Sequence, residues 1–304
     1  MLLAHFYLFI IFINGIAKCV EPPVSDVDIS MFADDTKLFS TCPSNMQCSI
    51  DSMTNWLSNY KFNLAFHKCF ILKINKPNIS NHSTFTLANN TLQSKSTIKD
   101  LGIYISHDLK WATHINYIYN NASQISYQIV KTFKSKNIWT YKKLLLTYIR
   151  PKVEYNTPIW SPYLLKDILR IERVQRRYTK QIFRRCGIPF VSYDDRLEKL
   201  GIKSLQYRRI EFDIIMLYKI MHGLSFLNFD DFFTFRTTSY DLRGNARKID
   251  TAKNFNSCQW MSTFFVRVTK FWNFLPNEIA CLPSLNLFRS KLKRFDLSPL
   301  CTDF

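Results

Sequence analysis

With 304 residues, 47% hydrophobic and 15% aromatic, the chain has enough apolar material for one large or two modest buried cores, which excludes general disorder. Its 6 glycines and the lack of any GxGxxG or GxxxxGK pattern exclude a Gly-rich phosphate cradle, and its 8 cysteines form no CxxC pair, which argues against zinc and reads as reduced thiols. The net charge of +18 is concentrated between residues 111 and 220, where 21 basic residues face 8 acidic ones, and such a field points to a polyanionic partner, nucleic acid before membrane.

In chain order, Phe6 to Ile13 is an apolar run of signal-peptide length, followed by the small residues of Gly15-Ile16-Ala17. No Lys or Arg precedes it, and it is too short to span a bilayer. The sequons at Asn78, Asn81, Asn89 and Asn121 carry meaning only if the chain is secreted. From Val27 to Phe32 apolar and polar residues alternate, which predicts a strand; Lys37 to Ser40 resumes the extended pattern, so Asp34 and Asp35 fall at the bend of a hairpin. Cys48 to Asn59 reads as a helix, Lys68 to Asn75 as a strand, and Phe85 to Ile105 as short strands. Beyond Trp111 the pattern becomes helical, with Ile115, Ile118, Ala122, Ile125, Ile129 and Phe133 on one face. Further helices are predicted over Tyr141 to Arg150, stopped by Pro151, over Leu164 to Arg185, over Ser204 to His222, and near Leu285 to Phe295.

Two features carry chemistry. Adjacent aspartates on an exposed hairpin turn offer hard carboxylate oxygens of the kind Mg²⁺ takes, although two-metal phosphoryl transfer needs carboxylates from at least two elements. A solvated turn is the plain alternative, since Asp favours turns for its own backbone bonding. On the helix from Leu164, residues Leu164, Ile168, Ile171, Val174, Tyr178 and Ile182 fall in one arc, while Arg170, Arg173, Arg177, Lys180 and Arg184 recur at spacings of three and four on the opposite face. One face would pack and the other would track phosphates. The plain alternative is a solvated face, or pairing with Glu172 and nearby acids. Trp111, Trp139 and Trp160 read as packing residues, and His67, His107, His114 and His222 have no ligand spacing.

Several segments, in order, resemble the reverse transcriptases of non-LTR retrotransposons, the LINE and jockey-like group. "MFADDTKLF" is similar to the family's Phe-Ala-Asp-Asp catalytic hairpin. "MTNWLSNYKFNLAFHKCFILKIN" and "KDLGIYISHDLKWATHI" resemble the fourth palm motif and the primer grip. "LLLTYIRPKVEYNTPIWSPYLLKDILRIERVQRRYTKQIF" resembles the thumb signature, and "YDDRLEKLGIKSLQYRRIEFDIIMLYKIMHG" and "RVTKFWNFLPNEI" resemble the segments after it. "FYLFIIFINGIAKCV" looks like a worn copy of the palm helix upstream of the hairpin, a different account of the apolar run. The resemblance implies Asp34 and Asp35 as palm carboxylates and ligands of Mg²⁺, with Asp34 inner-sphere. It places Phe32 beside the primer terminus, Lys68 in the fourth palm motif and Leu101-Gly102 at the primer-grip turn. The chain departs from the family in what it lacks: 33 residues precede Asp34, which leaves no room for the upstream catalytic Asp or for the fingers.

The expectation is an α+β chain with a partial palm at 1–110, a basic helical thumb at 111–225 and a C-terminal segment at 226–304. The implied function is that of a truncated RNA-directed DNA polymerase, catalytically incomplete, with RNA template and DNA primer as partners. A nucleic-acid-binding remnant or domesticated thumb without catalysis is the alternative, and a secreted or membrane-associated protein is a third reading. An intracellular location, nucleus or cytoplasm, is expected ahead of secretion.

Overall fold

A computed structural model describes residues 11–20, 26–62, 64–74, 84–189, 191–236, 247–251 and 263–301. The chain is mixed α and β and divides into two compact units, Met1–Lys110 and Trp111–Phe304. Residues 226–304 thus share a unit with the helices of 111–225.

The first unit holds helix α1 (Gly15–Val20), the hairpin β1 (Val27–Phe32) and β2 (Asp35–Ser40), and helix α2 (Pro43–Asn59). Helix α2 starts five residues before the predicted Cys48, because Pro43 sits in its first turn, where a missing N–H costs nothing. Short strands follow: β3 (Phe70–Ile71), β4 (Thr86–Leu87), β5 (Asn90–Thr91), β6 (Gln93–Ser94), β7 (Thr97–Asp100) and β8 (Ile103–Ser106). The strand predicted from Lys68 shrinks to β3, which pairs in parallel with β6, since Phe66–Lys68 closes into a 3₁₀ turn. Asn75 and most of the loop after it lie outside the described residues, as does the start of the N-terminal apolar run; its residues 11–13 are helical. Among the described residues each sheet has two strands. Such ribbons are marginal alone, and the core of Ile50, Phe85 and Leu87, with Leu38, Met53 and Ile71 packed on it, supplies the missing burial.

The second unit opens with α3 (Ala112–Thr132), which buries Ile115, Ile118, Ala122 and Ile129 as its periodicity predicts. Phe133 instead caps the helix and is 40% exposed. Next, α4 (Ile138–Leu144) runs into a π-helical stretch, Leu145–Ile149, and then α5 (Arg150–Glu154). Pro151 therefore does not stop the chain's helical course: it lies in the first turn of α5, where its absent N–H is tolerated. After α6 (Thr157–Trp160) comes the long helix α7 (Leu165–Arg185). Helix α8 (Tyr193–Leu200) was not predicted, though its capping box of Ser192 with Asp195 and its closing Gly201, at φ 58°, are legible signals. Helix α9 (Leu205–Met221) matches the predicted fourth helix, with Ser204 as its N-cap.

The rest of this unit is built onto α9. Strands β9 (Phe233–Phe235) and β10 (Ile249–Thr251) pair antiparallel, and helices α10 (Phe264–Asn273), α11 (Asn277–Ala280) and α12 (Leu285–Leu292) complete a core with Ile214, Leu217 and Tyr218. Within it the Tyr218 ring stacks on Phe288 at 4.2 Å. The Asn273 side chain exchanges two 2.9 Å bonds with the backbone of Ile249, so that α10 extends the β10 edge. Arg267 on α10 reaches Asp213 on α9 through bonds of 2.7 and 3.1 Å and also donates to the Pro158 carbonyl, at 2.5 Å. Trp160 is fully buried as expected, but Trp139 is 54% exposed, with the Lys142 ammonium 5.2 Å from its ring. Seven cysteines in the described residues are free thiols.

Candidate nucleic-acid interface and the acidic hairpin

In the first unit the register of the β1–β2 hairpin pairs Phe32 with Asp35 and leaves Ala33 and Asp34 as its two-residue turn. Ala33 has φ 54°, a left-handed conformation that costs an L-residue about 1–2 kcal/mol. Opposed residues of an antiparallel pair share a face, so Val27, Ile29 and Met31 point inward with Thr36, Leu38 and Ser40. Phe32, Asp35 and Lys37 point outward. Asp34 and Asp35 are both exposed, and Phe32 is 62% exposed.

Lys37, two residues from Asp35 on the same face, forms a 2.8 Å ion pair with Asp100 at the end of β7. This contact brings the Leu101–Gly102 turn beside the outer face of the hairpin. Both turn residues have positive φ, 43° and 89°, the geometry of a tight type I′ connection; Gly adopts it freely and Leu101 under strain. Lys68 ends the 3₁₀ turn of Phe66–Lys68 and is exposed. The two aspartates are two carboxylates of the set that two-metal chemistry requires. No group of three or more His, Cys, Asp or Glu that could hold a metal ion occurs among the described residues. The doublet therefore does not fit a two-metal phosphoryl-transfer centre by itself, and no reaction step follows from it.

In the second unit α7 separates its faces sharply. Ile168, Ile171, Val174, Tyr178 and Ile182 are buried, while Arg173, Arg177, Lys180 and Arg184 are exposed and Arg170 is half-buried. Leu164 falls outside this arc: it is the N-cap and 39% exposed. Glu172 does not neutralise the cationic row. It is 1% exposed and turns inward, where Oε1 accepts from the Leu205 N–H at 3.0 Å and from the Tyr193 hydroxyl, and Oε2 accepts from the Gln206 N–H at 3.1 Å. The carboxylate thereby caps the N-terminus of α9. Burial, and then Glu172 itself, push the Tyr193 hydroxyl pKa well up.

Four of the other acids of this unit are also engaged away from the row. Glu154 pairs with Arg150 at 3.0 Å and with Arg208; Glu211 pairs with Arg208 at 3.4 Å; Asp213 holds Arg267; Asp195 closes the capping box. None of these ion pairs involves Arg170, Arg173, Arg177 or Arg184.

The sequence reading missed a second wall. Helix α3 packs along α7 and contributes Tyr119, whose hydroxyl accepts from Arg177 Nη1 at 2.8 Å and whose ring lies 5.0 Å from the Arg170 guanidinium. About two to three turns beyond Tyr119, Tyr127 and Lys131 of α3, with Lys134 just after it, face Lys180, Arg184 and Arg185 across a groove of about 560 Å³. The available signal was an absence: residues 109–153 contain no Asp or Glu and 8 Lys or Arg. Arg185 is partly committed, donating to the Phe133 carbonyl and, at 3.4 Å, to the Tyr141 hydroxyl.

Comparison with known proteins adds little to this picture. The chain is 29% identical over 126 residues to an uncharacterized protein of Caenorhabditis elegans, a match covering 41% of this chain and 64% of that protein. The chain thus spans somewhat under two thirds of that relative's length. No protein-family model matches, and no solved structure matches. No helix among the described residues is long and apolar enough to cross a membrane.

Proposed function

We propose that this chain is a nucleic-acid-binding remnant of a non-LTR retrotransposon reverse transcriptase, with residues 1–110 derived from the palm, 111–225 from the thumb and 226–304 from the segment after it. The observation that carries binding is the row of Arg173, Arg177, Lys180 and Arg184 on α7, left exposed while the one glutamate in its midst, Glu172, is buried as a helix cap. Cations on neighbouring turns of one helix lie about 5–6 Å apart, close to the spacing of successive phosphates, and they bind by counterion release without reading sequence.

The acidic hairpin supports the ancestry and not an activity. Ala33 and Leu101 hold positive φ without being glycine, a local strain that fits a turn kept for its geometry. In the parent enzymes Mg²⁺ stabilises the charge developing in phosphoryl transfer; here Asp34 and Asp35 could offer it two carboxylates, and no third joins them among the described residues.

Binding of a primer–template duplex is the test. The logarithm of affinity should fall steeply with the logarithm of salt concentration, and replacing Arg173, Arg177 and Lys180 together by Gln should flatten that slope by about 2–3. A slope unchanged by the triple substitution removes the phosphate track.

A further inference from the structure

We propose that the groove between α3 and the C-terminal half of α7 is a single-strand site, in which Lys134 and Arg184 hold phosphates and the Tyr127 ring stacks on a base. The inference rests on the nucleic-acid reading above and adds to it the state of the strand and an aromatic contact outside the α7 row.

Three observations lead there. The groove brings Lys131, Lys134, Lys180, Arg184 and Arg185 together and includes no acidic side chain in its lining, so its field favours an anion with more than one charge. Its volume of about 560 Å³ leaves room for more than a lone phosphate. Tyr127 forms part of its wall yet is 63% exposed, with the Lys131 ammonium 5.9 Å from its ring centre. A tyrosine committed to the core would be covered, and one serving only solubility would not need to stand beside five cations.

The contrast with Tyr119 is informative. That ring is occupied by Arg170 and its hydroxyl by Arg177, so it braces the cationic row and has little left for a ligand. Tyr127 lies eight residues further along the same helix, about 12 Å at 1.5 Å per residue, where the row opens into the groove. A duplex keeps its bases stacked on one another and offers this ring nothing. A single strand can turn a base out onto it, and such stacking tolerates any base.

The test uses the whole chain with three labelled probes: a twelve-nucleotide uridine RNA, a twelve-phosphate abasic strand, and a duplex of the same length. Tyr127→Ala should weaken RNA binding by about 5- to 150-fold, the range expected for one stacked base, and leave the abasic strand and the duplex within about twofold. Tyr127→Phe should keep the RNA affinity. Lys134→Gln with Arg184→Gln should weaken RNA and abasic strand alike, because both carry phosphates. Circular dichroism checks that the variants fold, which the exposure of Tyr127 favours.

RNA binding that ignores Tyr127→Ala, or an equal loss on the abasic strand, overturns the stacking site. If the duplex still responds to the triple substitution on α7, the broader reading survives that result. If no strand or duplex binds, both fall. Binding to phosphatidylglycerol vesicles without binding to any oligonucleotide would assign the groove to a lipid surface and overturn both as well.

Discussion

Replacing Glu172 separates two accounts of the α7 helix. As a cap, its carboxylate satisfies two backbone N–H groups at the start of α9 and the Tyr193 hydroxyl, all inside the second unit. It also lies near enough to the fully buried Arg209 to oppose the loss of that guanidinium's charge, which burial otherwise favours. Glu172→Ala removes three accepted hydrogen bonds and leaves donors without partners, each costing about 1–3 kcal/mol when buried. These costs overlap, so we expect a net loss of about 3–5 kcal/mol, the range for breaking a buried charged network. Glu172→Gln keeps one acceptor oxygen and should lose roughly half as much. The assay is urea unfolding followed by far-ultraviolet circular dichroism, with RNA affinity of the folded protein measured beside it. If Glu172 instead neutralised the arginine row, its removal would tighten RNA binding and barely change stability. A loss under about 1 kcal/mol together with tighter binding would refute the capping role.

Three further outcomes are expected. His114 is buried against Trp160, with ring centres 5.1 Å apart, and burial lowers its pKa to about 4. The unfolded chain therefore takes up a proton near pH 6.5 that the folded one refuses, so stability falls as pH drops from about 6.5 to about 4, by up to about 3 kcal/mol. Melting temperatures across that range should show the loss, and His114→Phe should abolish it; an equally steep decline in that variant would assign the effect to other groups. Arg267→Ala strands the buried carboxylate of Asp213 and should cost about 3–5 kcal/mol in urea unfolding, whereas an effect below 1 kcal/mol would mean the pair contributes little. Primer extension on an RNA template with Mg²⁺ should give no product above an Asp34→Ala, Asp35→Ala control, and activity that disappears in that control would show a complete centre after all.

The sequence was most informative where local chemistry and tertiary environment agree. The alternation of Val27 to Phe32 and the apolar arc of α7 both survive in the structure because each element buries one face and wets the other. Helix α10 went unpredicted although Phe264, Val268 and Trp272 recur at spacings of four on the face it buries; its period was legible, while the partners that cover it, α9 and α12, lie far away in sequence. Pro151 misled for a different reason: whether it ends a helix or begins one depends on the register of the π-helical stretch before it. For the interface, spacing alone located the cations of α7. It could not reveal that Glu172 points inward, since the direction of one side chain depends on where Leu205 and Tyr193 arrive. Nor could it pair α3 with α7 and so bring Tyr127 to the row. The long acid-free stretch before Glu154 was visible, and only the packing of the two helices gives it a meaning.

Covalent footprinting of lysines by acetylation, read by mass spectrometry with and without bound RNA, tests the central claim most directly. The account predicts that RNA shields Lys180, Lys131 and Lys134 and leaves the reactivity of exposed Lys270 and Lys291 unchanged. Shielding that spares the first three, or that gathers on the other two, would contradict it.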